Sequence, residues 1–304
     1  MTAQRQRASD VPRLAITLGD PRGIGPEIVK AALEDPAVKA AATFVVIGPS
    51  GTAMPVDRDV GEWTADERDA RAGALAGLAI ERAIAMAVGG DVAGIVTAPI
   101  DKSALLAGGY DYPGHTEMLA HLTGRRTAMM LASDRLRVVL ATTHIPLRDV
   151  AGALTRDVIT DAADVTRAGL RDWFAIAEPR IALCALNPHA GDGGRFGKED
   201  DEVLRPAAKA AGLLGPFPAD TVFVRAMRGE FDAVIAPYHD VGMTAIKVAS
   251  FGSAVNITLG LPFPRTSPDH GTAIDIAGQG IADWSSMKEA VLVCARIARL
   301  TTRF

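Results

Sequence analysis

The sequence is poor in cysteine, in basic charge and in long apolar runs, and each of these shortages excludes a class of protein. Only two cysteines, Cys184 and Cys294, occur among 304 residues, and both lie in apolar segments. They are expected to be buried free thiols in a reducing compartment rather than the disulfides of a secreted scaffold. The formal net charge of −4 lacks the basic excess of a nucleic-acid-binding protein, so no nucleic-acid partner is expected.

Membrane association is not predicted either. Every apolar run is interrupted by glycine, proline or charge before it reaches about 18 residues, the length that suggests a membrane-spanning helix. The polar start MTAQRQRASDVPR is not followed by the apolar stretch of a signal peptide. These features predict a cytoplasmic protein without a membrane partner.

Short runs rich in β-branched residues alternate with longer helical patterns. The predicted strands are 13–19, 43–48, 92–99, 136–144, 180–188, 231–239 and 254–260. The predicted helices lie near 25–35, 66–88, 157–175, 199–212 and 284–300. Most of these strands lack a polar–apolar alternation, which is typical of strands covered on both faces. The pattern predicts an α/β protein with a largely parallel sheet.

Three of the six histidines follow predicted strands, in TTHIPL (142–147), NPHAGDGG (187–194) and PYHDVGM (237–243). Ligands of open α/β sheets gather beyond the carboxyl ends of the strands, so these histidines are expected to share one site. Three neutral imidazoles leave an open position on a divalent metal, as a catalytic centre requires. Each histidine alone would be more typical of a structural residue, but the three together predict a metal site. Its ligands are His144, His189 and His239.

Two neighbouring carboxylates and a fourth histidine complete this interpretation. Asp240 or Asp220 is expected to orient one of the metal-binding rings through a hydrogen bond. His121 lies on a helical pattern away from glycine and proline, and it is expected to be structural.

An anion-binding group is predicted from a helix start and three later residues. His115 and Thr116 lie at an apparent helix start, where backbone N–H groups and the helix dipole favour an anion. Three polar side chains follow downstream: the ammonium of Lys247, the amide of Asn256 and the planar guanidinium of Arg265. Together they predict a clamp for a phosphate or a carboxylate. Three other basic residues are expected to be solvated surface charges: Lys102, Arg125 and Arg126.

The glycine-rich turn LGDPRGIGPEI (18–28) does not match a nucleotide-binding fingerprint. Gly23 and Gly25 are not followed by a third glycine at Ile28, as the Rossmann motif requires, and no Gly-Lys-Ser/Thr follows, as the P-loop requires. The turn is therefore interpreted as a tight connection from a strand to a helix. Signatures of a serine nucleophile, a Cys–His pair or a glycosidase carboxylate pair do not stand out either.

The loop DHGTAIDIAGQGIAD (269–283) closely resembles the adenosine-binding loop of the isocitrate and isopropylmalate dehydrogenases. This resemblance implies a nicotinamide cofactor bound without a Rossmann motif. Asp275 would accept hydrogen bonds from the ribose hydroxyls and repel a 2′-phosphate, which favours NAD, with NADP as the alternative. The residues implied to line the adenine are His270, Gly271, Thr272 and Ala273.

Nine segments together resemble the 4-hydroxythreonine-4-phosphate dehydrogenase family of pyridoxal 5′-phosphate biosynthesis. They occur in the family's order from residue 16 to residue 283: ITLGDPRGIGPEI, TAPIDK, GHTEMLAHLTG, TTHIPL, NPHAGDGG, GPFPADTVF, YHDVGM, VNITLGLPFPRTSPDHGTA and DIAGQGIAD. The resemblance implies a homodimer with an isocitrate-dehydrogenase-like fold and an active-site cleft at the dimer interface. The expected lobes are residues 1–125 with 265–304, and 126–264, the second carrying the metal site and dimer contacts.

The resemblance also implies roles for individual residues. A divalent metal (zinc, magnesium or cobalt) would be held by His144 and His189 together with the residue matching His239 from the partner subunit. The phosphorylated substrate would contact the residues His115, Thr116, Lys247, Asn256 and Arg265. Hydride transfer to NAD would give a β-keto acid that loses CO2, with the metal as a Lewis acid. Lys247 and Asp220 are the candidates for the general base.

Three residues depart from the family's usual pattern, and they leave the substrate open. Val241 replaces a usual Gln, Arg22 a common Ala, and Asp192 a usual Glu. Paralogues that oxidise other 4-phosphorylated hydroxy acids, of the threonate or erythronate type, are therefore an alternative. Paralogues acting on aromatic cis-dihydrodiols are less favoured because Lys247 and Arg265 retain an anion clamp. An alternative of another class is a non-catalytic metabolite-binding protein.

Overall fold

The computed structural model describes residues 11–64, 69–250 and 253–301. Its strands are β1 (Arg13–Thr17), β2 (Thr43–Ser50), β3 (Arg58–Glu62), β4 (Gly94–Thr97), β5 (Ala128–Ala132), β6 (Arg137–Leu140), β7 (Ile181–Cys184), β8 (Leu214–Phe217), β9 (Ala233–Ala236), β10 (Val255–Leu259) and β11 (Arg265–Pro268). Its α-helices are α1 (Gly25–Glu34), α2 (Pro36–Ala41), α3 (Asp69–Val88), α4 (Lys102–Ala107), α5 (His115–Thr123), α6 (Leu147–Ala153), α7 (Arg156–Phe174), α8 (Arg205–Ala211), α9 (Ala219–Met227), α10 (His239–Ser250) and α11 (Ser285–Thr301).

Every strand and helix predicted above is present. The predicted strands are β1, β2, β4, β6, β7, β9 and β10. The predicted helices are α1, α3, α7, α8 and α11, with α8 preceded by a π-helical turn over Asp200–Leu204. The first positions of the 66–88 prediction, 66–68, lie outside the described residues. The predicted helix start at His115 is also present, because α5 begins there after Gly114.

Four strands were not predicted, and their sequences explain why. β5 (AMMLA) has no β-branched residue, and β8 (LGPF) contains glycine and proline. β3 (RDVGE) is a largely polar strand at the edge of the sheet, and β11 (RTSP) is polar although it is fully buried. A pattern of apolar residues cannot identify strands of these compositions.

All eleven strands form one sheet in the order β3-β2-β1-β4-β11-β10-β5-β6-β9-β7-β8. Antiparallel pairs occur only in the middle of this sheet, where β10 pairs with β11 and with β5, and β5 pairs with β6. Both flanks are parallel. The prediction of an α/β protein with a largely parallel sheet is thus confirmed.

The two faces of the sheet are covered differently, and the difference creates a cleft. One apolar cluster, with side chains from α1, α2, α7, α8 and α11, covers one face from β2 to β7. On the other face, α3 and α5 cover β1, β2 and β4, while α9 and α10 pack against β5, β6, β7 and β9. Between these two helix groups, the same face of β10 and β11 lines a cleft.

The expected lobe boundary falls between β10 and β11. These two strands are hydrogen-bonded neighbours, so the sheet continues across the boundary. The division into two lobes therefore stays a prediction. Cys184 and Cys294 are buried free thiols, as predicted, and burial raises the pKa of each to about 12. In the described part of the chain, no helix combines the length and the apolar character needed to cross a membrane.

Candidate active site

A cleft of about 370 Å³ lies over the uncovered middle of the sheet. Its floor is made by alternate residues of the antiparallel strands, because side chains alternate between the two faces of a strand. Asn256 of β10 pairs with Leu131 of β5 and with Ser267 of β11, which places all three side chains in one row. Met129 and Arg265 extend the same face.

Arg265 is a fully buried cation in this floor, with 1% of its surface exposed. Its Nη1 donates to Thr258 Oγ1 at 3.0 Å, and its Nη2 donates to Thr97 Oγ1 at 2.5 Å. Among the described residues, no carboxylate forms an ion pair with it, and burial lowers the pKa of its guanidinium. Because a buried charge without a counter-ion is unfavourable, this arrangement favours binding of an anion from the cleft.

Unsatisfied polar atoms concentrate around the same cleft. Seven enclosed side-chain polar atoms have no hydrogen-bond partner in the described ranges, and four of them belong to cleft residues. Buried polar groups in folded proteins are nearly always paired with protein atoms, water or a ligand, so such a cluster favours a polar occupant of this cleft. The four atoms are Nε2 of His115, Oδ1 of Asn256, Nε of Arg265 and Nε2 of His270.

His115 is the first residue of α5, and Thr116 and Glu117 line the cleft beside it. Burial lowers the pKa of His115 well below its ordinary value of 6.5, and the positive charges of Arg265 and Lys102 lower it further. The imidazole is therefore neutral at pH 7. The predicted anion-binding residues His115, Thr116, Asn256 and Arg265 are thus brought together in one cleft.

Lys102 is exposed, as predicted, and it also lines the cleft, which the sequence did not indicate. It is the first residue of α4, whose N-cap Asp101 accepts a hydrogen bond from Ala104 N at 2.7 Å. Glu117 was also missed as a cleft residue. Part of the signal was available, because TAPIDK (97–102) begins at the end of the predicted strand 92–99 and GHTE (114–117) contains the predicted helix start.

His144 and His239 meet at the opposite wall of the cleft, with ring centroids 5.4 Å apart. They follow β6 and β9, which are adjacent parallel strands. Burial lowers the pKa of His144, and the charge of Lys102 lowers it further. Asp240 Oδ1 lies 2.7 Å from Nδ1 of His239, the ring-orienting contact expected from the sequence, and it leaves Nε2 of His239 available to a metal.

His189 does not join the other two histidines within the chain. It follows β7, which neighbours β9 but not β6. It is exposed on a projecting loop, adopts a left-handed conformation with φ of 54°, and its ring lies 6.2 Å from that of Phe196. Groups of three or more His, Cys, Asp or Glu suited to a metal are absent from the described ranges. The three-histidine site therefore stays a prediction.

Lys247 and Asp220 also lie outside the cleft of a single chain. Lys247 is exposed on α10 and Asp220 is exposed in the first turn of α9. Neither side chain lines the cleft, so a catalytic role for either stays a prediction. His121, predicted to be structural, is exposed on α5, and its ring lies 5.6 Å from that of Tyr112.

The predicted cofactor loop continues directly from the cleft. His270 and Gly271 line the cleft, whereas Thr272, Ala273 and the exposed Asp275 lie beyond it. The loop is held by the glycine turn that precedes α1, since Ile24 N donates to Thr272 O at 2.9 Å. A Cβ at Gly23 would lie only 2.6 Å from that same carbonyl oxygen. The glycine-rich turn 18–28, interpreted from the sequence as a tight strand-to-helix connection, thus also supports the predicted cofactor loop.

The three residues that depart from the family pattern lie away from the cleft lining. Arg22 donates from Nε and Nη2 to the buried Asp20, and from Nη1 to Asp69 at 2.5 Å. Hydrogen bonding to Asp20 raises the pKa of Arg22. Val241 packs among the apolar residues of α10, and Asp192 lies on the His189 loop. None of the three lines the cleft.

Comparison with known families agrees with this geometry. The family model described as pyridoxal phosphate biosynthetic protein PdxA matches residues 26–294. The chain belongs to this family. It is therefore a dehydrogenase, and the resemblance noted in the sequence is confirmed.

Two curated relatives of the PdxA family are equally similar to the chain. The 4-hydroxythreonine-4-phosphate dehydrogenase of Geobacter metallireducens is 42% identical over 327 residues, covering 95% of this chain and 96% of the relative. A protein of Bradyrhizobium diazoefficiens with the provisional name D-threonate 4-phosphate dehydrogenase is 42% identical over 333 residues, covering 94% and 96%. Sequence identity alone does not distinguish these two names.

Solved structures show the same fold. The 4-hydroxythreonine-4-phosphate dehydrogenase of Klebsiella pneumoniae superposes with a TM-score of 0.84 at 39% identity, covering 97% of this chain and 100% of that one. A terephthalate 1,2-cis-dihydrodiol dehydrogenase of Burkholderia xenovorans superposes with a TM-score of 0.62 at 27% identity, covering 91% and 95%. The chain is thus more similar in fold and sequence to the 4-hydroxythreonine-4-phosphate dehydrogenase than to the dihydrodiol dehydrogenase.

Proposed function

We propose that this chain catalyses the NAD-dependent oxidation of 4-hydroxythreonine 4-phosphate in pyridoxal 5′-phosphate biosynthesis. The secondary alcohol becomes a ketone, and the resulting 2-amino-3-oxo-4-phosphooxybutanoate loses CO2 to give 3-amino-2-oxopropyl phosphate. The active unit is a homodimer in which a second copy of the chain completes each site.

The buried, unpaired guanidinium of Arg265 is the observation that carries this proposal. It lies in the floor of the cleft, and its enclosed Nε has no hydrogen-bond partner among the described residues. A phosphate dianion supplies the missing counter-charge, and the fork of the guanidinium suits phosphate oxygens. The amide of Asn256 and the neutral ring of His115 supply further polar contacts beside it.

The residues present fit a divalent metal at the other wall. Two imidazoles lie side by side there with their ring planes tilted by 44°, and Asp240 orients His239. The metal is held by His144, His189 and His239, with a second copy of the chain supplying the histidine that one chain does not bring to the wall. The bound metal supplies a Lewis acid for the substrate hydroxyl, and bound NAD supplies the hydride acceptor.

The cofactor position follows from the loop that continues from the cleft. His270 and Gly271 lie between the cleft and the exposed Asp275. Asp275 accepts hydrogen bonds from the ribose hydroxyls of NAD. Arg265 binds the phosphate of the substrate and so fixes that end of it. The carbinol carbon then lies between the histidine wall and the cofactor loop, and this fixed orientation lowers the entropic part of the barrier.

A second candidate substrate is threonate 4-phosphate. The Bradyrhizobium relative, which is named for that substrate, is as similar in sequence to this chain as the Geobacter relative is. The two substrates differ only in an amino group or a hydroxyl at C2, and both fit the phosphate clamp. A metabolite-binding protein without activity is the outcome if neither is oxidised.

The deciding experiment measures NADH formation with 4-hydroxythreonine 4-phosphate and threonate 4-phosphate side by side, each with NAD and a divalent metal. The proposal expects the higher kcat/KM with 4-hydroxythreonine 4-phosphate, together with release of CO2. A higher kcat/KM with threonate 4-phosphate would transfer the assignment to the second substrate. No turnover with either would overturn the proposed dehydrogenase reaction.

A further inference from the structure

Two cations line the cleft, and only one of them is assigned to the phosphate. Arg265 lies in the floor, and Lys102 lies in the wall formed by α4. Within residues 11–64, 69–250 and 253–301, the Lys102 ammonium has no hydrogen-bond or ion-pair partner. A lysine without a partner on open surface is ordinary, but one facing a ligand cleft is available to bind an anion.

Packing of α4 holds Lys102 in this place. A Cβ at Gly73 of α3 would lie 1.7 Å from Ala104 O, and a Cβ at Gly108 would lie 2.3 Å from Ala74 N. The two helices therefore touch through their backbones, which fixes the start of α4 relative to the sheet. The N-cap contact of Asp101 anchors the same end.

The side chain of Lys102 extends from α4 towards the start of α5. A Cβ at Gly114 would lie 3.7 Å from Lys102 Cε and 3.4 Å from Glu117 Oε2. The ammonium is thus carried on the wall of the cleft beside the start of α5, in the cleft that Arg265 and His144 also line.

We propose that Lys102 binds the carboxylate of the substrate, at the end of the carbon chain opposite to the phosphate. The inference rests on the proposed function, since both candidate substrates carry one phosphate and one carboxylate. Arg265 is proposed to bind the phosphate. Among the described residues that line the cleft, Lys102 is the remaining Lys or Arg side chain. Lys102 thereby sets which end of the substrate faces the histidine wall.

The contribution of Lys102 belongs to binding rather than to the loss of CO2. A cation on the carboxylate stabilises the charge that is present in the ground state and disappears as CO2 leaves. Loss of this interaction should therefore raise KM with little change in kcat. A hydrogen bond to a charged group contributes about 1.5–3 kcal/mol, and each step of about 1.4 kcal/mol is tenfold, so the expected rise in KM is about 10- to 150-fold.

The test compares Lys102→Met with the wild type on two alcohols, using NAD and a divalent metal. For 4-hydroxythreonine 4-phosphate, the variant should show the raised KM, and Lys102→Arg should restore most of the affinity. For 1-amino-3-phosphooxypropan-2-ol, which lacks the carboxylate, the KM values of the wild type and Lys102→Met should coincide. Lys39→Met, which removes an exposed lysine of α2, controls for the loss of one positive charge.

The outcomes separate this inference from the proposed function. An unchanged KM for the carboxylate substrate in Lys102→Met, with an active wild type, would overturn the inference alone. An equal rise in KM for both alcohols would also overturn it, because Lys102 would then act on the phosphate or on the fold. A wild type that oxidises neither candidate hydroxy acid would overturn the proposed function and this inference with it.

Discussion

The rings of His144 and His239 lie 5.4 Å apart at the ends of two hydrogen-bonded parallel strands, β6 and β9. This pairing within one chain differs from the family expectation, in which His144 and His189 come from one subunit and His239 from the other. The reason is strand order, because β7, which leads to His189, is separated from β6 by β9. In the proposed dimer, we therefore expect the third histidine of the metal site, His189, to come from a second copy of the chain.

Replacing His189 with Ala should abolish NADH formation and weaken zinc binding, because two imidazoles alone form an incomplete metal site. Zinc affinity is measured by calorimetry, and activity is measured after chelation and re-addition of zinc. His121→Ala is the matched control, since His121 is also exposed and lies outside the cleft. Wild-type turnover by the His189 variant after chelation would contradict the metal assignment.

Mixtures of inactive variants should reveal which histidines belong to the same subunit. When the defects lie in residues from different subunits, a hybrid dimer has one intact site, which restores about a quarter of the activity after random exchange of subunits. Mixing His189→Ala with His144→Ala or with His239→Ala should restore activity, whereas mixing His144→Ala with His239→Ala should not. Restoration by this last pair would support the family arrangement instead.

The sequence predicted the parallel flanks well and the middle of the sheet poorly. Strands such as β6 and β9 are apolar on both faces because helices cover both sides, so their composition identifies them. β11 carries the buried cation Arg265 on the face that forms the floor of the cleft, and its polar sequence does not identify it as a central strand. A strand that binds ligand departs from the composition of its neighbours for functional reasons.

Individual site residues show the same limit. Arg265 and His115 were recognised from local sequence, because each lies in a distinctive segment. Lys102 was predicted to be a surface charge because its place on the cleft wall depends on α4 packing against α3. The TAPIDK segment indicates only that the residue comes shortly after a strand. The position of His189 relative to His144 depends on strand order, which the sequence pattern also does not specify.

Replacing Arg265 with Lys should raise KM for the phosphorylated substrate by about 100-fold or more. A lysine keeps the charge but cannot bind Thr97, Thr258 and a phosphate with one planar fork. Steady-state kinetics give KM, and the rise in Tm caused by inorganic phosphate reports binding independently of turnover. Arg125→Lys, at an exposed position, should leave both values unchanged. An unchanged KM in Arg265→Lys would exclude the guanidinium as the phosphate ligand.

The free energy of unfolding should fall as the pH decreases below 6.5. Burial lowers the pKa of His115 below its ordinary value of 6.5, so between these two values the unfolded chain binds a proton that the folded chain does not. Folding therefore becomes less favourable as the pH falls through this window. Urea denaturation at pH 7.5 and 5.5 measures the difference, which should be smaller in His115→Gln than in the wild type. If the free energy of unfolding of His115→Gln changed between these two pH values as much as that of the wild type, His115 would be excluded as the cause. His121→Gln, at an exposed position, is the control.

Replacing Asp275 with Ala should relax the preference for NAD over NADP. The carboxylate is exposed on the loop beyond His270 and Gly271, where it would accept the ribose hydroxyls of NAD and repel the 2′-phosphate of NADP. The variant should therefore lose kcat/KM with NAD and gain kcat/KM with NADP, which is measured with saturating substrate and metal. Asp172→Ala removes an exposed carboxylate of α7 and should leave the ratio unchanged. The wild-type ratio in Asp275→Ala would place cofactor discrimination in other residues.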